Sequence, residues 1–237
     1  MKPLQLYVLS GPNGAGKSTL SETFVPPGTD IFNGDKELAI LKHKYPMTDS
    51  GTLYESANEY VFQARKNRAI TAGTDFAFET NFRTNEVMKT VAQFKEKGYQ
   101  TNLIFIGLPS VQASINRVDM RVKAGGHFVD AENVNKNYAG GLENLIKFYD
   151  RFDTVDIMQS NVGENESFKI SSLMTIKQGI ITARTRDLPD WVNRIPEAIE
   201  LKHQQKIQAE LNLQREKQEE LWKAQERGNN LGPGRGT

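Results

Sequence analysis

A glycine-rich stretch near the N-terminus has the residue types and the spacing that bind a nucleoside triphosphate. Residues 11–18 read Gly-Pro-Asn-Gly-Ala-Gly-Lys-Ser, a G-x-x-x-x-G-K-S pattern between a short apolar run and a helix-forming segment. Its glycines let backbone N–H groups point at phosphate oxygens, and a helix starting near Lys17 presents its positive end to the same charge. We expect Lys17 to bind the β- and γ-phosphates of ATP and Ser18 to hold Mg²⁺. The expected ATP-binding residues are Gly11, Asn13, Gly14, Ala15, Gly16, Lys17, Ser18 and Thr19.

Two classes of protein use such a loop, namely ATPases that hydrolyse ATP to drive movement and kinases that transfer its γ-phosphoryl group. The sequence lacks the Leu-Ser-Gly-Gly-Gln signature, the long glutamine loop and the apolar run ending in Asp-Glu of transporter-type ATPases. A kinase needs instead a carboxylate near the phosphate loop and a cationic lid over the γ-phosphoryl group. The sequence contains candidates for both, and it therefore favours a phosphotransferase. A glycine turn that binds no ligand is the competing interpretation of the loop.

Two carboxylates follow predicted strands, at the edge of the sheet where ligands bind in open α/β folds. Asp35 comes directly after Ile-Phe-Asn-Gly and is the candidate base for an acceptor hydroxyl, or a ligand of a Mg²⁺-bound water. Its alternative role is to cap the helix that begins at Lys36. Glu79 lies near the end of the third predicted strand and can orient a polyhydroxy acceptor; alternatively it faces solvent.

A basic segment at residues 110–140 is the candidate lid. Arg117 and Arg121 lie four residues apart, so that they share one face of a helix. A guanidinium stays charged and pairs bidentately with phosphate oxygens, which suits it to this position. Gly125-Gly126 supplies a hinge, and His127 follows it. The alternative is a solvated basic helix face with no ligand.

Strand-like and helical segments alternate in the first half of the chain, and this alternation would position the residues above. Strand-like runs at residues 4–9, 30–35, 74–80 and 101–108 are separated by helical spacing, which predicts a parallel sheet flanked by helices on both faces. Residues 154–161 add a candidate fifth strand. The later segments are a β-branched stretch broken at Lys177-Gln178-Gly179, which predicts a hairpin, and a long helix after Pro196. The predicted fold is an α/β P-loop NTPase with a C-terminal β-hairpin and a long helix.

The composition sets the limits of this organisation. The chain has 237 residues, enough for one α/β domain and an appendage but too few for a second catalytic domain. We expect a kinase-like domain at 1–163, a hairpin extension at 164–195, a C-terminal helix at 196–227 and a disordered tail at 228–237.

Charge and cysteine content limit the partners and the compartment. Thirty Lys and Arg against 29 Asp and Glu give a net charge of +1, which argues for neither a specific nucleic acid nor an anionic membrane as partner. There are no cysteines, which excludes disulfides and thiolate metal sites, and no apolar run long enough to span a membrane. We expect a cytoplasmic protein.

Four blocks of sequence, in the right order and spacing, resemble the zeta-toxin family of P-loop kinases, in particular its broad bacterial branch. The resemblance covers roughly residues 7–161. The blocks are GPNGAGKST at the phosphate loop, FNGDKELA, FAFETNFRT, and NRVDMRVKAGGH followed by LENL.

The resemblance implies an ATP-dependent kinase that phosphorylates a hydroxyl of a sugar nucleotide or a related nucleotide-like acceptor. Characterised members act on the 3′-hydroxyl of a UDP-N-acetylated sugar and are restrained by a small helical antitoxin. Carried over by position, the catalytic residues are Lys17, Asp35, Arg117 and Arg121, with ATP and Mg²⁺ as cofactors. The acceptor-binding residues are Asp35, Glu79, Asn81, Arg83 and His127.

Three departures from the family pattern leave parts of this interpretation open. Asp130 stands where the family has proline after the lid, and Lys136-Asn137-Tyr138 replaces Arg-Arg-Tyr. Arg121, His127 and Lys136 therefore all stay candidates for the second lid cation. The third departure, Thr80-Asn81, alters reach toward the acceptor, so the acceptor need not be a UDP-sugar.

A second hypothesis belongs to another class of protein. It is an ATP-binding regulatory or assembly module with slow hydrolysis that interacts through the C-terminal helix. That helix is the candidate site for an antitoxin or for self-association, or it is simply a charged solvated helix.

Overall fold

The computed structural model describes residues 2–126, 128–162 and 168–229. His127, one of the expected acceptor-binding residues, and residues 230–237 of the expected tail lie outside the described residues. The strands are β1 (Gln5–Ser10), β2 (Asp30–Phe32), β3 (Phe76–Thr80), β4 (Gln100–Gly107), β5 (Thr154–Val162), β6 (Phe168–Lys177) and β7 (Ile180–Arg184). The α-helices are α1 (Lys17–Phe24), α2 (Gly34–Lys44), α3 (Ser50–Glu55), α4 (Phe62–Ala72), α5 (Glu86–Glu96), α6 (Val111–Lys123), α7 (Ala131–Phe148) and α8 (Arg194–Asn229).

The strands form one sheet in the order β2-β3-β1-β4-β5-β6-β7. Neighbours from β2 to β5 pair in parallel, whereas β6 and β7 pair antiparallel. Parallel neighbours need long crossovers, which the intervening helices supply. β1 and β4 occupy the middle and are almost completely buried, as central parallel strands are. The α/β P-loop fold with a parallel core, a C-terminal hairpin and a long helix is confirmed.

The second strand is shorter than the sequence predicted. β2 ends at Phe32, and the Asn33 side chain caps α2 by accepting a hydrogen bond from the Lys36 backbone N–H at 3.0 Å. The prediction that the strand reaches Asp35 is wrong, and so is the alternative that Asp35 caps the helix. Asp35 lies instead in the first turn of α2, where a negative charge complements the helix dipole.

The hairpin is confirmed, and it lies in the main sheet. β6 pairs with the outer edge of β5, and the turn at Gln178-Gly179 returns the chain as β7. The residues up to Asn193 form one compact unit, and those from Arg194 onward form a second. The proposed domain boundaries at residues 163 and 195 stay predictions.

The second unit contains α8, a helix of 36 residues. Several of its apolar side chains are exposed, including Leu211, Leu221 and Trp222. Within the described ranges, no helix has the length and apolar character needed to cross a membrane.

Candidate active site

The phosphate loop is held tightly between β4 and α6, and two glycines make this approach possible. Gly11 has φ 139°, and a Cβ there would lie 2.0 Å from the Ile106 carbonyl oxygen of β4. Gly14 has φ 77°, and a Cβ there would lie 2.7 Å from the Cβ of Arg117. Any other residue would therefore meet both a strained backbone and an occupied space. Among the described residues no side chain caps the start of α1, so its N–H groups remain for an anion.

Lys17 lies at the junction of the phosphate loop and the turn after β3. Its Nζ donates to the carbonyl oxygens of Gly11 at 2.7 Å and Pro12 at 3.0 Å, and to Asn81 Oδ1 at 3.0 Å. Burial of the ammonium lowers the Lys17 pKa to about 8, although the nearby carboxylates of Glu79 and Asp35 act in the opposite direction. Lys17 is therefore an ammonium bound by three oxygen atoms, and its pKa lies below that of an ordinary lysine.

Ser18 joins three separate segments of the sequence. Its hydroxyl donates to Glu79 Oε2 at 2.5 Å and accepts from Asn33 Nδ2 at 2.7 Å. The other carboxylate oxygen, Glu79 Oε1, is buried and has no hydrogen-bond partner within the described ranges. The structure thus brings Ser18 and Glu79 together as expected residues of one site. Asn33 was missed, although its place just before Gly34-Asp35 at a strand end was a signal.

The wall that carries Asp35 is completed by a π-helix at Ser56–Val61. Asp35 is exposed and lines the cleft together with Gly34, Tyr54 and Asn58. Asn58 Oδ1 lies 2.6 Å from where a Gly34 Cβ would be, so the start of α2 and the π-helix are in direct contact. π-Helical turns are rare and are frequent at functional sites. Apolar spacing in the sequence does not distinguish such a turn from an α-helix, so Asn58 was missed. Tyr54, at the end of α3, was missed as well.

A strained turn after β3 carries two of the expected acceptor-binding residues, Asn81 and Arg83. Phe82 is completely buried and has φ 54°, a conformation that costs a residue with a side chain about 1–2 kcal/mol. Hydrogen bonds from its N–H to Thr80 Oγ1 and from Asn144 Nδ2 to its carbonyl oxygen hold it there. The turn directs Asn81 to Lys17, while Arg83 donates to Asn133 Oδ1 at 3.2 Å. Strain of this kind is concentrated at functional sites.

Two glycines in α7 support the same turn. A Cβ at Gly140 would lie 3.0 Å from the Arg83 carbonyl oxygen, and one at Gly141 would lie 2.7 Å from the Asn81 carbonyl oxygen. The helix backbone therefore rests directly on the turn. The role of this glycine pair is not visible in the sequence, since the turn that it contacts lies some sixty residues earlier in the chain.

The two lid arginines have different surroundings. Arg117 donates to the Gly14 carbonyl oxygen at 3.1 Å and to Ser160 Oγ at 2.8 Å, so its guanidinium contacts the back of the loop. Burial lowers the Arg117 pKa. Arg121 lies one turn further along α6, lines the cleft and is near enough to Lys17 to act on its pKa. Lys136 forms an ion pair with Glu132 on its own helix. Of the candidates for the second lid cation that the structure describes, the geometry favours Arg121.

The phosphate loop and most of the candidate residues around it line one cleft of about 1200 Å³. Ligand pockets commonly measure about 300–1,000 Å³, so there is room for a nucleotide and a second ligand together. The cleft brings together the phosphate loop, Asp35, Glu79, Asn81 and Arg83 from one side and α6 and α7 from the other. Such an arrangement can bind phosphates at one end and a hydroxyl-bearing molecule at the other.

Comparison with known proteins gives one family and several similar folds. A family model described as an AAA domain matches residues 6–139. An uncharacterized protein of Haemophilus influenzae is 26% identical over 129 residues, which cover 54% of this chain and 88% of that protein.

Solved structures with a similar fold include two complexes. A structure from the PezAT chromosomal toxin–antitoxin system of Streptococcus pneumoniae has a TM-score of 0.51 at 19% identity and covers 86% of both chains. The AvrRxo1-ORF1:AvrRxo1-ORF2 complex has a TM-score of 0.61 at 13% identity with sulphate ions and 0.59 at 12% identity with ATP, covering 76% of this chain each time. This chain spans 61% and 60% of the AvrRxo1 chains. At these identities the likeness concerns the fold.

Proposed function

The chain belongs to the AAA-domain family, and from that premise we propose that it is an ATP-dependent kinase for a small-molecule hydroxyl. The acceptor in this proposal is a sugar nucleotide or a related nucleotide-like molecule. The observation that carries the proposal is a single cleft in which the phosphate loop faces two carboxylates, Asp35 and Glu79, and two arginines, Arg83 and Arg121. A kinase needs these groups for the acceptor and for the transferred phosphoryl group, whereas simple nucleotide binding does not.

In this proposal the loop from Gly11 to Thr19 binds the phosphates of ATP. The uncapped N–H groups at the start of α1 and the Lys17 ammonium provide positive charge at the same place. Asn81 already holds the ammonium on the side that faces the acceptor. Lys17 therefore lies where it can balance charge on the phosphoryl group as it moves from ATP to the acceptor.

Mg²⁺ fits the residues beside the loop. Glu79 Oε1 is a buried carboxylate oxygen without a partner among the described residues, and Ser18 Oγ lies against the other oxygen of the same carboxylate. Oxygen ligands of this kind, few in number and completed by phosphates, are what Mg²⁺ prefers. Ser18 and Glu79 would hold the ion. When bound, Mg²⁺ neutralises charge on the β- and γ-phosphate oxygens.

Transfer itself requires a base on the acceptor side. Asp35 is exposed to the cleft at the start of α2 and takes the proton of the acceptor hydroxyl. The hydroxyl oxygen then forms the new bond to the γ-phosphorus, and the bond to the bridging oxygen of ADP breaks. Arg121 stabilises the charge on the transferred group. Asn81 and Arg83 orient the acceptor, whose own phosphate or hydroxyl groups pair with the Arg83 guanidinium.

A second candidate function has its own observation. The described part of α8 exposes several apolar side chains on an otherwise polar helix, among them Leu211, Leu221 and Trp222. This favours an interaction through α8, either with a protein antitoxin or with another copy of the chain. The likeness to a toxin–antitoxin structure supports the former. Within this second candidate, the chain is a regulatory module that binds ATP and hydrolyses it slowly.

One assay separates the two candidates. The protein is incubated with γ-labelled ATP and with UDP-sugars, nucleosides or nucleotide cofactors, and the label is followed by chromatography. A kinase places label on a small molecule, and the Lys17→Ala variant abolishes this transfer. Label found in inorganic phosphate alone, with every acceptor, would support the regulatory module.

A further inference from the structure

We propose that Arg117 is a positioning residue, which fastens the phosphate loop to β5 and sets the direction of the loop's N–H groups. This role differs from the direct contact with the transferred phosphoryl group that sequence resemblance implies for it. The inference rests on the nucleotide-binding half of the proposed function. It does not depend on the acceptor.

The first support is the position of the guanidinium. One of its terminal nitrogens donates to the Gly14 carbonyl oxygen at 3.1 Å and to Ser160 Oγ at 2.8 Å, and the other donates to the Ser160 carbonyl oxygen at 3.2 Å. Ser160 is completely buried near the end of β5. A planar guanidinium can join these oxygens at once, whereas a lysine ammonium cannot span them. Arg117 is therefore a link between the loop and the sheet.

The second support is the close approach of the loop to the arginine stem. A Cβ at Gly14 would lie 2.7 Å from the Arg117 Cβ and 3.4 Å from the Ser114 carbonyl oxygen. The loop backbone thus rests on α6 at the point where Arg117 emerges. This contact fixes the distance between the Arg117 backbone and the Gly14 carbonyl oxygen that the arginine side chain has to span.

Two further side chains bind the neighbouring residue of the loop. Ser114 Oγ, on α6, donates to the Asn13 carbonyl oxygen at 2.6 Å. Asn137 Nδ2, on α7, donates to Asn13 Oδ1 at 2.8 Å. Ser114, Asn13 and Asn137 are all buried. Helix α6 therefore holds the backbone carbonyl groups of two consecutive loop residues, Asn13 and Gly14, and α7 holds the Asn13 side chain.

The geometry of the peptide bond turns this outside contact into an effect on the ligand. In a planar trans peptide, the carbonyl of one residue and the N–H of the next point in opposite directions. Holding the Asn13 carbonyl toward Ser114 therefore points the Gly14 N–H the other way. The Ala15 N–H follows the Gly14 carbonyl that Arg117 holds, points away from Arg117 and donates to the Pro12 carbonyl oxygen at 3.3 Å, which closes a turn inside the loop. N–H groups in such a loop bind phosphate oxygens. Arg117 thus holds the turn that shapes the loop, and Ser114 orients the Gly14 N–H, so both residues affect the binding of any nucleoside diphosphate or triphosphate.

This role predicts a specific pattern of affinity. A contact with the γ-phosphoryl group affects ATP and leaves ADP unchanged, because ADP has no such group. A residue that shapes the loop affects both nucleotides by the same factor. The affinity ratio of the two nucleotides therefore separates the two roles of Arg117.

The test is calorimetric titration of ADP and of the β,γ-imido analogue of ATP, both with Mg²⁺, into the full chain. Arg117→Lys keeps the positive charge but loses the link, and we expect it to weaken both ligands equally, by about tenfold, as for the loss of a charged hydrogen bond. Ser160→Ala should weaken the binding of both ligands by the same factor. In the variant that carries both substitutions, the loss of binding free energy should be smaller than the sum of the two single losses. Arg121→Gln is the matched comparison, which should weaken the ATP analogue and spare ADP.

Each outcome decides the matter. Unchanged ADP affinity in Arg117→Lys, with the analogue weakened, would overturn the positioning role and assign Arg117 to the transferred group. If thermal unfolding shows that Arg117→Lys does not fold, the pair Ser160→Ala and Ser114→Ala provides the same test, and unchanged ADP affinity in both overturns the proposal. A wild-type chain that binds neither nucleotide would contradict this inference and the proposed function together. A chain that binds both but transfers no phosphate would contradict the kinase alone.

Discussion

Raising the pH from about 7 to about 9 should weaken nucleotide binding, because the lysine of the phosphate loop loses its proton in this range. Burial lowers the Lys17 pKa to about 8. Nucleotide phosphates favour the charged form, so the pKa must rise again in the complex. Binding above the free pKa therefore takes up a proton, and this uptake reduces the affinity as the pH rises.

The magnitude follows from the shifted pKa. The dissociation constant grows by the factor 1 + 10^(pH − pKa), which is about 1.1 at pH 7, about 2 at pH 8 and about 11 at pH 9 for a pKa of about 8. The affinity should thus fall by about tenfold between the first and last of these values. Proton uptake on binding should be about 0.5 at pH 8 and about 0.9 at pH 9. The terminal phosphate of the nucleotide ionises near pH 6 and contributes little here.

Calorimetry measures both quantities. Titrations of ADP in pairs of buffers with different ionisation enthalpies give the number of protons taken up, and their fits give the dissociation constant at each pH. The matched control is Lys17→Arg, because a guanidinium keeps its charge throughout this range. The affinity of this variant for ADP should not fall between about pH 7 and about pH 9. Constant affinity and no proton uptake in the wild-type chain would refute the reasoning about Lys17.

Three other substitutions test the remaining parts of the cleft. Asp35→Asn should lower kcat for phosphoryl transfer by about 10²-fold or more and leave ADP affinity within about twofold, as measured by label transfer and calorimetry. Gly141→Ala places a Cβ 2.7 Å from the Asn81 carbonyl oxygen and should destabilise the chain by about 1–3 kcal/mol in urea unfolding. Arg83→Gln should raise KM for the acceptor by about tenfold without changing KM for ATP, in steady-state kinetics.

The controls for these variants are polar residues outside the cleft. Asp119→Asn changes an exposed carboxylate on α6, and Asn67→Ala an exposed amide on α4; neither should alter transfer. Transfer at the wild-type rate in Asp35→Asn would remove the base from the mechanism. An unchanged unfolding midpoint in Gly141→Ala would show that α7 does not press on the turn. A rise in KM for both substrates in Arg83→Gln would contradict a role of Arg83 confined to the acceptor.

The parts of the fold that sequence predicted are those determined by local patterns. The run Leu4–Leu9, the glycines after it and Lys17-Ser18 specify strand, loop and helix within a few residues of one another. The turn at Gln178-Gly179 is likewise local, and it marked the hairpin correctly. The pairing of that hairpin with β5 was not predicted, because strand neighbours are set by packing across the whole sheet.

The parts of the site that sequence missed depend on distant contacts or on a choice between similar residues. Asn33 and Asp35 are both residue types that cap helices. Asn33 is the cap of α2, because its side chain reaches the backbone N–H of Lys36. The left-handed backbone at Phe82 is held by Asn144, far along the chain. Arg117 matched a lid by its type and spacing, but its contact with Ser160 arises only when α6 packs beside β5. Residue type thus indicated the chemistry, and tertiary structure determined which groups face the cleft.

The most direct measurement is the fate of the γ-phosphate. Wild-type protein, Lys17→Ala and Asp35→Asn are each incubated with γ-labelled ATP and the same set of sugar nucleotides, nucleosides and nucleotide cofactors. A kinase of the kind proposed transfers label to the hydroxyl of at least one of these acceptors, and it does so in the wild-type chain but not in Lys17→Ala. Label recovered from the wild-type chain as inorganic phosphate alone, with Asp35→Asn indistinguishable from it, would contradict the proposal.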